Sequence, residues 1–185
     1  MRNLWELPTS LEVAGVRYPI NGDFRDVLDI FGVLQDESLP EFIRWYTALA
    51  LFYEGEIPPE NRQEAMEVMA DFFRAGGEES SAGESLLDWQ QDAPLIAADI
   101  NKVAGQEVRS APFVHWWTFL GWFHAIGEGQ LSTVVTIRDK LRRGKKLEDH
   151  EREFYRVNRG LVDRKKQLSP EEQAVRERLQ KLLGN

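Results

Sequence analysis

The chain has 185 residues, 42% hydrophobic and 29% charged, with twenty aromatic side chains (Trp 6, Tyr 4, Phe 10), enough to build a sizeable core and to argue against disorder over the whole length. It has no cysteine, which excludes disulfides, thiolate metal sites and a cysteine nucleophile. No window approaches the roughly 18 consecutive apolar residues of a membrane span, and the opening residues carry no apolar signal core, so a soluble, intracellular, globular protein is expected.

The net charge of −8 is unevenly spread. Residues 1–100 hold 6 basic and 20 acidic side chains, and residues 101–185 hold 17 basic and 11 acidic. The basic excess is densest between Arg138 and Lys166, with 12 basic against 6 acidic residues. The interspersed acids argue for solvated or intersubunit charge over phosphate tracking, because phosphate affinity scales with uncompensated cations.

Along the chain, Leu11, Val13, Val16, Tyr18 and Ile20 alternate around Ala14-Gly15, which predicts a β-hairpin within about residues 8–21. Everything after Asn21-Gly22 reads as helix. Phe24, Val27, Leu28 and Phe31 share one face. A second stripe runs through Phe42, Trp45, Tyr46, Leu49, Phe52 and Tyr53, and Gly55 with Pro58-Pro59 ends it. A third helix from about Glu60 carries Ala65, Met66, Met69, Phe72 and Phe73. Residues 76–85 form a short acidic loop inside the domain.

Leu86, Trp89, Ala93, Ile96, Ile100 and Val103 then step by three and four, predicting one helix of about 18 residues kinked by Pro94 and stopped at Gly105. The densest aromatic stretch, residues 112–123, is expected as a helix capped by Ser110 with Pro112 in its first turn. It is apolar on all sides, so it is placed at the centre of the fold. Pro94, Trp116, Trp117, Leu120 and Phe123 are the expected structural core residues. Leu131, Val134, Val135, Arg138 and Leu141 suggest a further helix, although the run 133–137 is β-branched and strand-compatible. A basic turn, Arg142-Arg143-Gly144-Lys145-Lys146, precedes a charged helix bearing Phe154, Tyr155 and Leu161. Ser169-Pro170-Glu171-Glu172 is a capping box opening a terminal helix whose Val175, Leu179 and Leu182 form a thin seam. The expected fold is mainly α: a compact helical domain over 1–166 with a small N-terminal β-hairpin, and a C-terminal helical arm with its last helix in 167–185.

The search for chemistry returns little. His115 and His124 lie nine apart, not at the spacing of a zinc-binding helix pair, and His115 reads as a hydrogen-bonded buried side chain. Asp88 and Asp92 share a face at i, i+4, which suits a hard cation in principle, but paired surface carboxylates more often face solvent, or Asp92 relieves the Pro94 kink by capping a freed amide. There is neither a phosphate-cradling glycine loop nor a Gly-x-Ser-x-Gly elbow. The expectation is a non-enzymatic helical interaction protein, without metal or cofactor.

Three stretches then carry a resemblance. Asp92-Ala93-Pro94-Leu95-Ile96-Ala97-Ala98, Pro112-Phe113-Val114-His115-Trp116-Trp117-Thr118-Phe119 and Ser132-Thr133-Val134-Val135-Thr136-Ile137-Arg138 resemble the bacteriophage gene-product-fifteen family. The opening Leu7-Pro8-Thr9-Ser10-Leu11, with Tyr18-Pro19-Ile20-Asn21 and Asp23-Phe24-Arg25, is similar to its N-terminus, so the likeness spans roughly residues 7–165. The resemblance implies a gene in the tail cluster of long-tailed phages and prophages, just before the tail tape-measure gene. Proteins in that slot are commonly tail assembly chaperones. The resemblance therefore implies the tape-measure protein as partner, action in the host cytoplasm, and absence from the mature virion.

Arg142, Arg143, Lys145, Lys146, Val175, Leu179 and Leu182 are the expected partner-binding residues, with self-association also open because the two halves are oppositely charged. The alternatives are a structural tail or connector subunit retained in the virion, and a small DNA-binding protein using residues 138–166. No membrane partner is expected.

Overall fold

The computed structural model describes residues 5–75 and 86–164. The N-terminal hairpin pairs β1 (Ser10–Val13) with β2 (Val16–Pro19) antiparallel. Its two-residue turn puts Ala14 at φ 49° and Gly15 at φ 78°. Positive φ at both positions is the turn geometry whose twist matches that of the flanking strands. Glycine takes it freely and alanine at a cost of about 1–2 kcal/mol. A hydrogen bond of 2.8 Å from the Ala14 amide to Glu64 Oε1 holds the turn against the third helix.

Eight α-helices follow among the described residues, so the chain is mainly α. They are α1 (Phe24–Gln35), α2 (Glu41–Phe52), α3 (Arg62–Arg74), α4 (Ala93–Ala104), α5 (Trp116–His124), α6 (Gln130–Arg142), α7 (Asp149–Val157) and α8 (Arg159–Val162). The hairpin, α1, α2 and α3 pack together, α4 packs on α5 and α6, and α7 and α8 cover α6. Stacking of Phe24 on Phe119 at 4.4 Å and the edge contact of Phe31 with Trp116 join α1 to α5. The buried side chains form one continuous cluster that begins at Leu11 and reaches Val162.

Several expectations are corrected. Pro94 does not kink a long helix: α4 starts at Ala93, with Pro94 in its first turn and exposed. Its missing N–H is harmless there, because first-turn amides have no intrahelical acceptor. The buried side of α4 is accordingly Leu95, Ile96, Ala97, Asp99 and Ile100, while Val103 is exposed. Pro94 is thus no core residue. The aromatic helix begins not at Ser110 but at Trp116, since His115 supplies the cap. It is not buried all round either. Trp116 and Phe119 are buried, Trp117, Leu120 and Phe123 are half-buried against the core, and Phe113 stands outside. The helix expected through Leu131, Val134, Val135, Arg138 and Leu141 is borne out as α6, which includes the β-branched run 133–137. The charged helix expected after the basic turn belongs to the fold: α7 and α8 dock on α6 and bury Val162. The acidic loop 76–85 and the seam of Val175, Leu179 and Leu182 lie outside the described residues.

Candidate functional site

Three polar clusters lie in the interior, and each joins segments far apart in the chain. In the first, Asp92 and Arg138 meet in a two-pronged ion pair, Nη1 to Oδ2 at 2.6 Å and Nη2 to Oδ1 at 2.9 Å. Both side chains are almost wholly buried. The remaining guanidinium hydrogens go to main-chain carbonyls: Nε to Val162 at 2.8 Å, Nη1 to Leu86 at 2.9 Å and Nη2 to Leu161 at 2.8 Å. All five donors of the arginine are therefore used, which is the condition under which a buried guanidinium is tolerable. Asp92 also accepts from the Asp88 amide at 2.9 Å. The Asp88 carboxylate accepts from the amides of Gln90 and Gln91, so it closes the turn before α4. The expectation that Asp88 and Asp92 look into solvent together is thus corrected: Asp92 points inward, to Arg138.

The second cluster is Asp99, buried on α4. It accepts from Leu131 N at 3.3 Å, in the first turn of α6, and from Lys102 Nζ at 2.6 Å. A carboxylate at a helix N-terminus is favoured by the free amides and the dipole. Gly129 makes the approach possible, since a Cβ there would lie 2.7 Å from Asp99 Oδ2.

The third cluster joins the start of α1 to the start of α5. Asp23 caps α1 through the Arg25 amide at 2.9 Å, and its other oxygen accepts from Val114 N at 2.9 Å. Burial alone would push its carboxyl upward, but hydrogen bonds from Arg25 and the two amides outweigh this and hold it below the ordinary carboxylate value. His115 Nδ1 accepts from Trp117 N at 3.1 Å, so that nitrogen carries no proton. The neutral ring then donates from Nε2 to the Pro8 carbonyl at 3.1 Å. Burial lowers its pKa, against the smaller effect of the Pro8 bond. The adjacent indoles act alike: Trp116 Nε1 donates to Phe73 O at 2.9 Å and Trp117 Nε1 to Phe72 O at 2.8 Å. Phe73 O lies in the last turn of α3, where carbonyls lack helical partners, and Phe72 O takes the indole bond beside one from the Ala75 amide at 3.0 Å.

On the surface, Arg142 and Arg143 of the predicted basic turn are exposed, and both pair with Asp139 at 2.9 Å. Lys145 and Lys146 stand exposed with no carboxylate in ion-pair range among the described residues. Exposed Leu141 precedes the turn. Elsewhere in the basic stretch, Lys140 pairs with Glu151 at 2.6 Å and Arg156 with Glu153 at 2.6 Å. A cleft of 390 Å³ opens beside α2, with Leu49, Tyr53 and Ile57 among its lining residues together with Tyr46 and Arg62. The Arg62 guanidinium lies 5.1 Å over the Tyr46 ring. Tyr53 donates its hydroxyl to Ala65 O at 2.9 Å, and burial pushes its pKa up, so it stays a donor.

Among the described residues, no three histidine or carboxylate side chains gather where they could hold a metal ion, and no helix is long and apolar enough to cross a membrane. The sequence signals for the interior clusters were slight but real. Arg138 occupies a position in an apolar stripe, and Asp92 and Asp99 sit on the flank of another. The capping role of His115 had no signal, since histidine is not a usual cap.

In comparison with known proteins, the family model described as bacteriophage Gp15 protein matches residues 4–163. That span takes in all eight helices and ends one residue after α8. No match was found among curated proteins or among solved structures.

Proposed function

Because the chain belongs to the bacteriophage Gp15 protein family, we propose that it is a tail assembly chaperone, which binds the tail tape-measure protein in the host cytoplasm and is absent from the finished virion. Family membership carries this reading. The surface chemistry supports it: the interior carboxylates and His115 are committed to protein partners, whereas apolar and basic side chains are left at the surface. The chain acts by binding, without metal or cofactor, and catalyses no reaction.

The surface assigned to the tape-measure protein is the basic turn, Arg142, Arg143, Lys145 and Lys146, with Leu141 at its edge. Val175, Leu179 and Leu182, which lie outside the described residues, are proposed as further contacts. Long amphipathic helices offer apolar stripes flanked by charge, and helix-on-groove packing with electrostatic steering suits such a partner. Nucleic acid is disfavoured because much of the basic stretch is already neutralised. Arg138 is buried on Asp92, Lys140 pairs with Glu151, and Arg156 pairs with Glu153.

The test is co-expression with the tape-measure protein. The full chain keeps it in the supernatant, and reversal of the four basic residues to glutamate, or deletion of residues 168–185, lowers that fraction. A tape-measure protein equally soluble with and without the chain would sink the chaperone reading. Stoichiometric recovery of the chain in purified virions would replace it with a structural tail subunit.

A further inference from the structure

Two segments of the chain carry opposite charge, and each leaves a pair of apolar side chains exposed, although the Arg62 guanidinium lies over one side of the Tyr46 ring. Residues 5–75 hold five basic and fourteen acidic side chains, whereas residues 130–164 hold ten basic and six acidic. On α2, Phe42 is 71% and Tyr46 is 53% exposed. Four residues apart on a helix, they share one face. Exposed Glu37 and Glu41 lie close in sequence, and neither has an ion-pair partner among the described residues. At the junction of α7 and α8, Val157 is 67% and Leu161 is 38% exposed, with Arg156 and Arg159 beside them. The pairings of these arginines with Glu153 and Asp163 are themselves exposed, so they contribute little and exchange readily. The two faces do not serve each other within one chain: α2 packs on α1 and α3, while α7 and α8 pack on α6 and on one another.

We propose that the acidic aromatic face of α2 docks on the basic apolar face at the α7–α8 junction of a second copy of this chain. Phe42 and Tyr46 would cover Val157 and Leu161, and Glu37 and Glu41 would meet Arg156 and Arg159. Aromatic anchors with a charged rim are the common composition of a protein–protein interface. The contact joins two different patches, so it is heterologous: an open assembly of any length still offers one free face of each kind, one at either end, and association continues into a ring or an open filament. Two apolar pairs make a small interface, which places the association in the weak, concentration-dependent class. Charge complementarity makes it salt-sensitive.

The experiment is sedimentation equilibrium of the full chain over a range of concentrations and salt, with two single variants. Phe42→Glu and Val157→Arg each remove an apolar contact while keeping the charge sign of their own face. The wild-type mass is expected to rise with concentration at low salt and to return towards the monomer as salt rises. Each variant alone should associate at least tenfold more weakly. An equal mixture of the two should form a dimer and nothing larger, because it contains one intact face of each kind. A wild type that stays monomeric under all conditions overturns the proposal. So does a Phe42→Glu chain that associates like wild type, or a mixture that fails to pair. Circular dichroism checks folding, and Tyr46→Glu with Leu161→Arg repeats the pairing should either first variant unfold.

Discussion

Replacing Arg138 with methionine removes a guanidinium whose five donors hold Asp92 and the carbonyls of Leu86, Leu161 and Val162. It also leaves a buried carboxylate without its counter-charge. Breaking a buried pair from one side costs about 3–5 kcal/mol, because the orphaned charge keeps its desolvation penalty. At about 2–4 °C per kcal/mol for a chain of this size, the melting temperature should fall by about 6–20 °C. Lysine should not restore it, since a compact ammonium with three donors cannot serve four acceptor groups spread around a planar fork. Replacing both members, Asp92→Leu with Arg138→Met, should cost clearly less than the two single changes added together, because no unpaired charge remains. Thermal and urea unfolding followed by far-UV circular dichroism measure all four chains. Tryptic cleavage after Arg159 should also accelerate in Arg138→Met, as α8 loses two of its carbonyl anchors. A melting shift under about 2 °C for Arg138→Met, or strict additivity in the double variant, would refute the view that this pair locks α8 and the turn before α4 onto α6.

Trp116→Ala should cost about 3–5 kcal/mol as a large-to-small change in the core, whereas Trp117→Phe, which mainly deletes the hydrogen bond to Phe72 O, should cost about 1 kcal/mol. Urea unfolding that ranks the two in the opposite order would contradict the burial described here. Because His115 has a lowered pKa in the fold, the unfolded chain binds more protons; stability is therefore full above the unfolded value of about 6.5 and declines as pH falls from there towards the folded value. Asp23, also lowered, adds stability that is present above the ordinary carboxylate value and lost at still lower pH. Stability measured between neutral and mildly acid pH should fall less in His115→Asn, which keeps a capping acceptor but does not titrate; equal slopes would rule out His115 as the source.

Local rules were legible from the sequence and distant pairings were not. The hairpin follows from period-2 alternation around a central glycine, because Gly15 takes positive φ freely, whereas the positive φ of Ala14 had no sequence signal. The first three helices follow from their apolar stripes. Pro94 misled because apolar spacing continues across it, although a proline at a helix start and one at a kink leave the same pattern. The aromatic run 113–123 looked uniformly buried because composition cannot tell a side that packs from one that is half-covered. Asp92 and Arg138 are 46 positions apart. Each is visible only as a charge where an apolar stripe wants a hydrocarbon, and matching the two requires the fold itself. The exposed basic turn was legible, because charge runs need no tertiary partner.

The anchoring of Phe72, Phe73 and Leu86 has a consequence for how the chain can be handled. The two ends of the 76–85 connection are gripped from elsewhere: the indoles of Trp116 and Trp117 hold the carbonyls before it, and Arg138 holds the carbonyl just after it. The geometry of those ends is thus set by α5 and α6, not by the connecting residues. The connection can therefore be lengthened without removing the bonds that hold Phe72, Phe73 and Leu86. That makes it the natural place to splice in a fluorescent or affinity tag, or to open a circular permutant, while leaving the helical surfaces available to their partners.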